Sequence, residues 1–351
     1  MSRTMTAFRL LDWGQPPQLV ETEVPQPGPG EVRVKVAGNG LCHSDVIMPY
    51  IPREIAEPQG WRMPFTLGHE IGGHIEALGD GVGHLVIGDP VVLISPHSCG
   101  TCWFCLRGLD SACTASGAGR GYGRDGGLAP YVIATAAREV IKLRRLDPKQ
   151  AAPITDAGTT SYHAVKRALP RLTPGGTAVV IGAGGLGSFA VQYLRVLSPA
   201  RVVAVDVNPA RLAFARELGA HEVLTGVSAS TAQDIRTLTG GEGAQAVLDF
   251  VGVDATIEAG LAALRKAGVY ALVGAGGGTL QQPWGRALPH EAEIFTFQGG
   301  TISDTQEAIA LADAGLVRSE IDVFPMSRVA EAYEKLDRGE LRGRAVVTPE
   351  G

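Results

Sequence analysis

The chain lacks any run of apolar residues long enough to cross a bilayer, which takes about 20 consecutive positions in a helix. Its first residues, Met1-Ser2-Arg3-Thr4-Met5, show no apolar core of a secretory signal before Asp12. A membrane span and an export signal are therefore set aside, and a cytoplasmic location is expected. Neither sign of charge dominates: 31 Lys and Arg against 36 Asp and Glu give a formal net charge of −5. That balance argues against nucleic acid or an anionic membrane surface as a partner. Tandem repeats and low-complexity stretches are missing as well. What is present is a 351-residue chain with 45% hydrophobic and 19% charged residues. That is enough for a sizeable core and, at the usual domain size, for two domains.

Cysteine is scarce and unevenly placed. Of five, four fall at Cys99, Cys102, Cys105 and Cys113, and Cys42 stands alone. A disulfide framework suits short secreted chains, so clustered thiols here favour a metal. The short gaps let backbone turns aim several sulfurs at one point, and four thiolates complete a closed tetrahedral zinc site. An iron–sulfur ligand set is the rival. Its bacterial ferredoxin form brings the fourth Cys after three residues and follows it with Pro. Here seven residues intervene and Thr114 follows, so the spacing fits structural zinc better.

Cys42 opens the most ligand-rich stretch of the chain, Gly40-Leu41-Cys42-His43-Ser44-Asp45. Gly68-His69-Glu70 follows, with His69 twenty-seven residues after Cys42. A thiolate and an imidazole suit Zn²⁺, a borderline-soft ion. Two ligands alone leave the metal open.

The texture of the chain changes near residue 145. Before it, Met5–Leu10, Val32–Val36, Ile71–Ala77 and Pro90–Ile94 read as strands punctuated by Gly and Pro turns, so the first region is expected to be all β. Met48–Met63, with Pro49, Pro52 and Pro58, is expected to be an irregular loop. Beyond Asp147, buried strands alternate with helical patterns. The strands are Ala178–Ile181, Arg201–Val205, Ala246–Phe250 and Gly268–Val273, with helices at Phe189–Leu197 and Arg211–Leu218. That alternation predicts an α/β region with a doubly wound parallel sheet. The tail, with helices at Asp304–Ala314 and Val329–Leu336 and a strand at Arg344–Val347, drops the alternation, so a return to the first region is expected.

Gly182-Ala-Gly184-Gly185-Leu186-Gly187 leaves one predicted strand and opens a helix, and Asp206 ends the next strand nineteen residues on. In that context a Gly-rich loop reads as a dinucleotide site. Gly182 allows the tight turn, Gly184 the close approach of a pyrophosphate, and Gly187 the packing of helix on sheet. The phosphates would sit on exposed N–H groups at the helix N-terminus. Asp206 would accept from both adenosine ribose hydroxyls and repel a 2′-phosphate, which favours NAD over NADP. Arg211 would weaken that choice if it points at the ribose.

Cys42, His69-Glu70, the four-cysteine lobe and the dinucleotide loop, in this order, resemble the zinc-containing medium-chain alcohol dehydrogenases, most of all the bacterial NAD-dependent secondary-alcohol enzymes. The likeness spans essentially the whole chain. It implies a GroES-like, mostly β catalytic domain over 1–156, with a structural zinc lobe at about 96–114, a Rossmann domain over 157–298, and a return to the catalytic domain over 299–351. It implies Asp156 as a third catalytic zinc ligand where many members carry Cys, and Glu70 as a carboxylate that enters or leaves the coordination. Asp45 would orient the histidine ligand. It implies hydride transfer between NAD and an alcohol, with Ser44 taking the alcohol proton and His43 as the next carrier. Ile47 stands where some animal members carry a relay histidine. Thr160 matches a residue packed on the nicotinamide, and Arg344 one that contacts the pyrophosphate. A homodimer or homotetramer is implied.

Ile47, Tyr50, Trp61, Phe297 and Gln298 are the candidates for the pocket walls. Small Gly299-Gly300 follows where relatives can carry a bulky aromatic, so room for bulky or aromatic secondary alcohols is expected. A polyol, amino-alcohol or thiol-adduct dehydrogenase of the same superfamily is the first rival, although the pocket candidates are mostly apolar. A catalytically silent structural relative is the second, and its mark would be the loss of Cys42 or His69.

Overall fold

The computed structural model describes residues 3–228, 230–281 and 288–349. Met1 and Ser2, the start of the stretch read for a signal, lie outside them. Two compact units divide the chain: Met1–Asp156 with Thr301–Gly351, and Ala157–Gly300. Among the described residues no helix is long and apolar enough to cross a membrane.

The first unit is built on a seven-stranded sheet. Its path runs Val140–Lys142, Pro90–Leu93, Glu70–Leu78, Val32–Gly40, Arg344–Thr348, Ile321–Pro325, and Tyr131–Ala134 adds to Val32–Gly40. Val32, Val34 and Val36 alternate inward and pack on Ile71, Ile75, Val91, Leu93 and Val132. Burying each such side chain is worth about 1.5–3 kcal/mol, and a one-residue slip would forfeit all of them. The register is thereby fixed, with Gly40 opposite Glu70 and Val346 opposite Gly40. The tail strand Arg344–Thr348 thus lies beside the strand that ends at Gly40, two residues before Cys42. A three-stranded sheet of Gln18–Glu23, Thr4–Leu10 and Phe65–Thr66 completes the unit's β structure together with a two-stranded pair.

The first region departs from the all-β expectation. His43–Ile47 is a short helix, and Met48–Met63 holds three single turns: Met48–Tyr50, Arg53–Ala56 and Glu57–Gln59. The prolines that suggested a loop sit in the first turn or just before it, where a missing N–H costs nothing. The strand Gln18–Glu23, antiparallel to Thr4–Leu10, was not anticipated, because its polar residues hide the alternation.

The second unit holds a six-stranded sheet, parallel throughout. Its order is Glu222–Thr225, Arg201–Asp206, Thr177–Ile181, Ala244–Asp249, Leu264–Leu272, Glu293–Thr296. In chain order that is 3-2-1-4-5-6, the doubly wound arrangement of dinucleotide-binding folds. Thr177–Ile181 is buried along its full length, as a central parallel strand covered on both faces must be. The helix after it, Gly187–Leu197, buries its first eight residues.

Candidate active site

In the first unit, the strand Val32–Gly40 delivers the chain to Leu41, which is fully buried, and Cys42 caps the short helix behind it. The Cys42 N–H donates to Asp45 Oδ2 at 3.1 Å, so the carboxylate is held by its own turn. Gly40 is required here: a Cβ would fall 1.9 Å from Glu70 Oε2. Glu70 begins the neighbouring strand, and His69 enters from Gly68, whose φ of 94° suits glycine.

These local arrangements bring four ligand atoms together. Cys42, His69, Glu70 and Asp156 each offer one, and all lie within 4.8 Å of one another. His69 is buried, with Nδ1 3.0 Å from Asp45 Oδ1 in an ion-pair contact. Nε2 is therefore the nitrogen that faces the cluster, and Asp156 Oδ2 lies 3.5 Å from it. Burial pushes the Asp156 carboxyl up, but the hydrogen bond and charge of His69 and the charge of Arg344 outweigh it and bring it down to about 2. Glu70 accepts from Arg344 Nη2 through Oε1, while its buried Oε2 has no hydrogen-bond partner. An orphaned carboxylate oxygen in a thiolate–imidazole–carboxylate cluster is what a Zn²⁺ site supplies.

Ser44 Oγ lies 3.0 Å from Tyr122 Oη, and Tyr122 Oη lies 2.9 Å from His69 Nε2. From the tail, Tyr333 Oη donates to Asp45 Oδ2 at 3.1 Å. Tyr122 and Tyr333 escaped the sequence reading. Each reaches its partner from far along the chain, and nothing local marks either. His43 is exposed, as are Ile47 and Tyr50. Trp61 does not line a pocket wall but packs in the core edge-on to Phe65. Phe297 and Gln298 belong to the second unit, where the Phe297 ring packs at a tilt against His163 and Phe295. Arg344, expected at a pyrophosphate, is buried in the first unit on Glu70, whereas Gly182–Gly187 belong to the second.

The cysteine lobe is also assembled. All four sulfurs lie within 4.8 Å of one another and none is in a disulfide. Cys99 Sγ is 4.0 Å from Cys105 Sγ, and Cys102 Sγ 3.9 Å from Cys113 Sγ. The edge of a ZnS₄ tetrahedron with bonds near 2.3 Å is about 3.8 Å, so the fit is close. Backbone N–H groups of Cys105 and Thr114 pull the Cys102 thiol down to about 5, whereas burial pushes Cys105 up to about 12.

In the second unit, Gly182 has φ 86°, and a Cβ on Gly187 would fall 1.8 Å from Gly182 O. Asp206 is buried. Its Oδ2 accepts from the Ala183 N–H at 2.8 Å and its Oδ1 from the Asn208 N–H at 2.8 Å, which ties the acid to the glycine loop. Arg211 Nη1 stands 4.0 Å from Asp206 Oδ2. Gly185 and Leu186 complete the loop, and Leu186 O accepts from Ser161 Oγ at 2.8 Å. Thr160, one residue earlier, is buried in the helix Ala157–Ala168.

A doubly wound sheet with a glycine loop and an acid on its second strand, joined in one chain to a β unit with two ligand clusters, defines a metal-containing dehydrogenase. Comparison with known proteins narrows this. Residues 28–145 match the alcohol dehydrogenase GroES-like domain, and residues 185–314 match the zinc-binding dehydrogenase family. An NAD-dependent alcohol dehydrogenase of Sulfurisphaera tokodaii is 35% identical over 350 residues, 98% of this chain and 100% of that protein. An alcohol dehydrogenase of Geobacillus stearothermophilus is 33% identical over 345 residues, 98% of this chain and 99% of that protein. The crystal structure of the Aeropyrum pernix alcohol dehydrogenase superposes with a TM-score of 0.90 at 36% identity, covering 98% and 100% of the two chains. The chain belongs to the zinc-containing medium-chain alcohol dehydrogenases.

Proposed function

We propose that this protein is a zinc- and NAD-dependent alcohol dehydrogenase that interconverts an alcohol and its ketone or aldehyde. The single observation that carries the reading is the cluster of Cys42, His69, Glu70 and Asp156, whose donor atoms all lie within 4.8 Å of one another. Cys42, His69 and Asp156 would hold the catalytic zinc, and Glu70, whose Oε2 has no hydrogen-bond partner, would offer a further carboxylate ligand. Cys99, Cys102, Cys105 and Cys113 hold a second zinc in a closed, structural site. When bound, the catalytic zinc supplies a Lewis acid that lowers the pKa of an alcohol, and NAD supplies the hydride acceptor.

The chain's own residues do the rest. Asp45 orients His69, and Arg344 balances the charge of Glu70. Ser44 accepts the alcohol proton, and His43, exposed two positions before Asp45, passes it toward solvent. The loop Gly182, Gly184, Gly185, Leu186 and Gly187 offers its N–H groups to the pyrophosphate, and Asp206 receives the ribose hydroxyls. Arg211, 4.0 Å from Asp206, stands at the ribose end of the site, and Thr160 packs on the nicotinamide, while Arg344 stays buried on Glu70. The unit of Met1–Asp156 with Thr301–Gly351 is catalytic, and Ala157–Gly300 binds coenzyme, two residues beyond the expected boundary at 298.

Within this class the substrate is a bulky or aromatic secondary alcohol. The small Gly299-Gly300 and the apolar Ile47, Tyr50 and Phe297 support it, with Gln298 the polar exception, while Trp61 drops out because it packs in the core. We further propose a cytoplasmic homodimer or homotetramer. The test is alcohol-dependent NADH formation, abolished by a chelator and restored by Zn²⁺. A substrate panel then decides the finer reading: kcat/KM for 1-phenylethanol or cyclohexanol exceeds that for ethanol, and the reverse order refutes it.

A further inference from the structure

The relay reading puts one hydroxyl, that of Ser44, at the reacting oxygen. The structure places a second beside it. Tyr122 stands in a tight turn between Gly121 (φ 77°) and Gly123 (φ 82°). Both glycines are needed for close approach. A Cβ on Gly121 would lie 2.6 Å from Gly68 O, and one on Gly123 would lie 2.5 Å from Trp61 Cγ. The turn therefore rests directly on the segment that delivers His69. The phenol ring lies 4.4 Å from the imidazole, tilted by 38°. Its Oη is 2.9 Å from His69 Nε2 and 3.0 Å from Ser44 Oγ.

The side of His69 matters. Nδ1 faces Asp45 at 3.0 Å, so Nε2 faces the ligand cluster, and the phenol stands on that same side. An oxygen that binds beside Nε2 and within reach of Ser44 is then also within reach of Tyr122. With Nε2 committed to a metal ion, its lone pair no longer accepts from the phenol. The O–H of Tyr122 is left with Ser44 Oγ and the substrate oxygen as acceptors.

We propose that Tyr122 is a second substrate-contacting residue, whose phenolic O–H donates to the oxygen of the alcohol or ketone alongside Ser44. The ligand class it favours is a neutral hydroxyl or carbonyl compound with an accepting oxygen. No proton leaves the phenol. It holds the oxygen in place while Ser44 exchanges the proton. The proposal rests on the dehydrogenase reading, and wild-type turnover of an alcohol with NAD is established first. Its absence would reject that reading whatever Tyr122 does.

The experiment compares the zinc-loaded wild type with Tyr122→Phe, a change that keeps the ring and removes only the donor. Equilibrium binding in the presence of NADH is measured for a simple aliphatic amide, whose carbonyl mimics a ketone, and for an alkyl thiol, whose sulfur accepts hydrogen bonds poorly. The amide is expected to bind about tenfold more weakly to the variant while the thiol stays within about twofold. Zinc content and melting temperature are expected to match the wild type, and kcat/KM for the ketone to fall with amide affinity. Equal amide affinity in the two proteins overturns the proposal. So does an equal loss for amide and thiol, or loss of zinc from the variant, either of which would make Tyr122 a support for His69 instead.

Discussion

Tyr333 Oη donates to Asp45 Oδ2 at 3.1 Å, joining residues 288 positions apart. Asp45 in turn faces His69 Nδ1, so a residue of the returning tail helps set the orientation of a metal ligand. Tyr333→Phe removes this bond but leaves Asp45 Oδ2 its other donor, the Cys42 N–H. A loss of about 1 kcal/mol is expected in chemical denaturation. Asp45→Asn acts on His69 itself. It is expected to weaken catalytic-site zinc by about 10–100-fold in chelator competition while the cysteine lobe keeps its ion.

Arg344 and Glu70 form a second link between the tail and the first unit's centre, and both side chains are almost wholly enclosed. Arg344→Met would strand a buried carboxylate and is expected to destabilise the protein by about 3–5 kcal/mol. Adding Glu70→Gln to that variant removes the uncompensated charge. Denaturation of the double variant should return part of the loss, and a double variant no more stable than Arg344→Met would count against this account of the pair.

The glycine loop offers a contrast between two neighbouring positions. A Cβ on Gly187 collides with Gly182 O at 1.8 Å, whereas one on Gly184 meets nothing nearer than Arg211 at 3.7 Å. Gly187→Ala is therefore expected to lower the melting temperature. Gly184→Ala should fold normally yet bind NADH at least about tenfold more weakly, because its methyl stands where the pyrophosphate approaches. Fluorescence titration and thermal melts of the two variants separate the effects.

Asp206 holds the loop through Ala183 and faces Arg211 at 4.0 Å. Asp206→Asn keeps an accepting oxygen for the loop but removes the charge that would repel a 2′-phosphate. The ratio of kcat/KM for NAD to that for NADP should fall by about tenfold or more. An unchanged ratio would show that Asp206 does not read the ribose.

The parts legible in the sequence are those whose partners lie close along the chain. Cys99, Cys102, Cys105 and Cys113 close on one another within a single lobe. Gly182 to Gly187 and Asp206 are joined by one helix and one strand, so strand–loop–helix periodicity exposes them. Tyr122, Tyr333 and the Arg344–Glu70 pair were hidden for the opposite reason. Their contacts span 53, 288 and 274 positions, and the last two need the tail helix Val329–Asp337 and the strand Arg344–Thr348 to pack back onto the first region. Trp61 misled because an aromatic among prolines looks like a loop wall, yet the turns around it fold it onto Phe65 and into the core.

Zinc analysis of the wild type and Asp156→Ala, paired with NAD-linked alcohol turnover, tests the catalytic cluster most directly. Two zinc ions per chain are expected in the wild type, and one in a folded but inactive variant. A variant that keeps both ions and full turnover would contradict it.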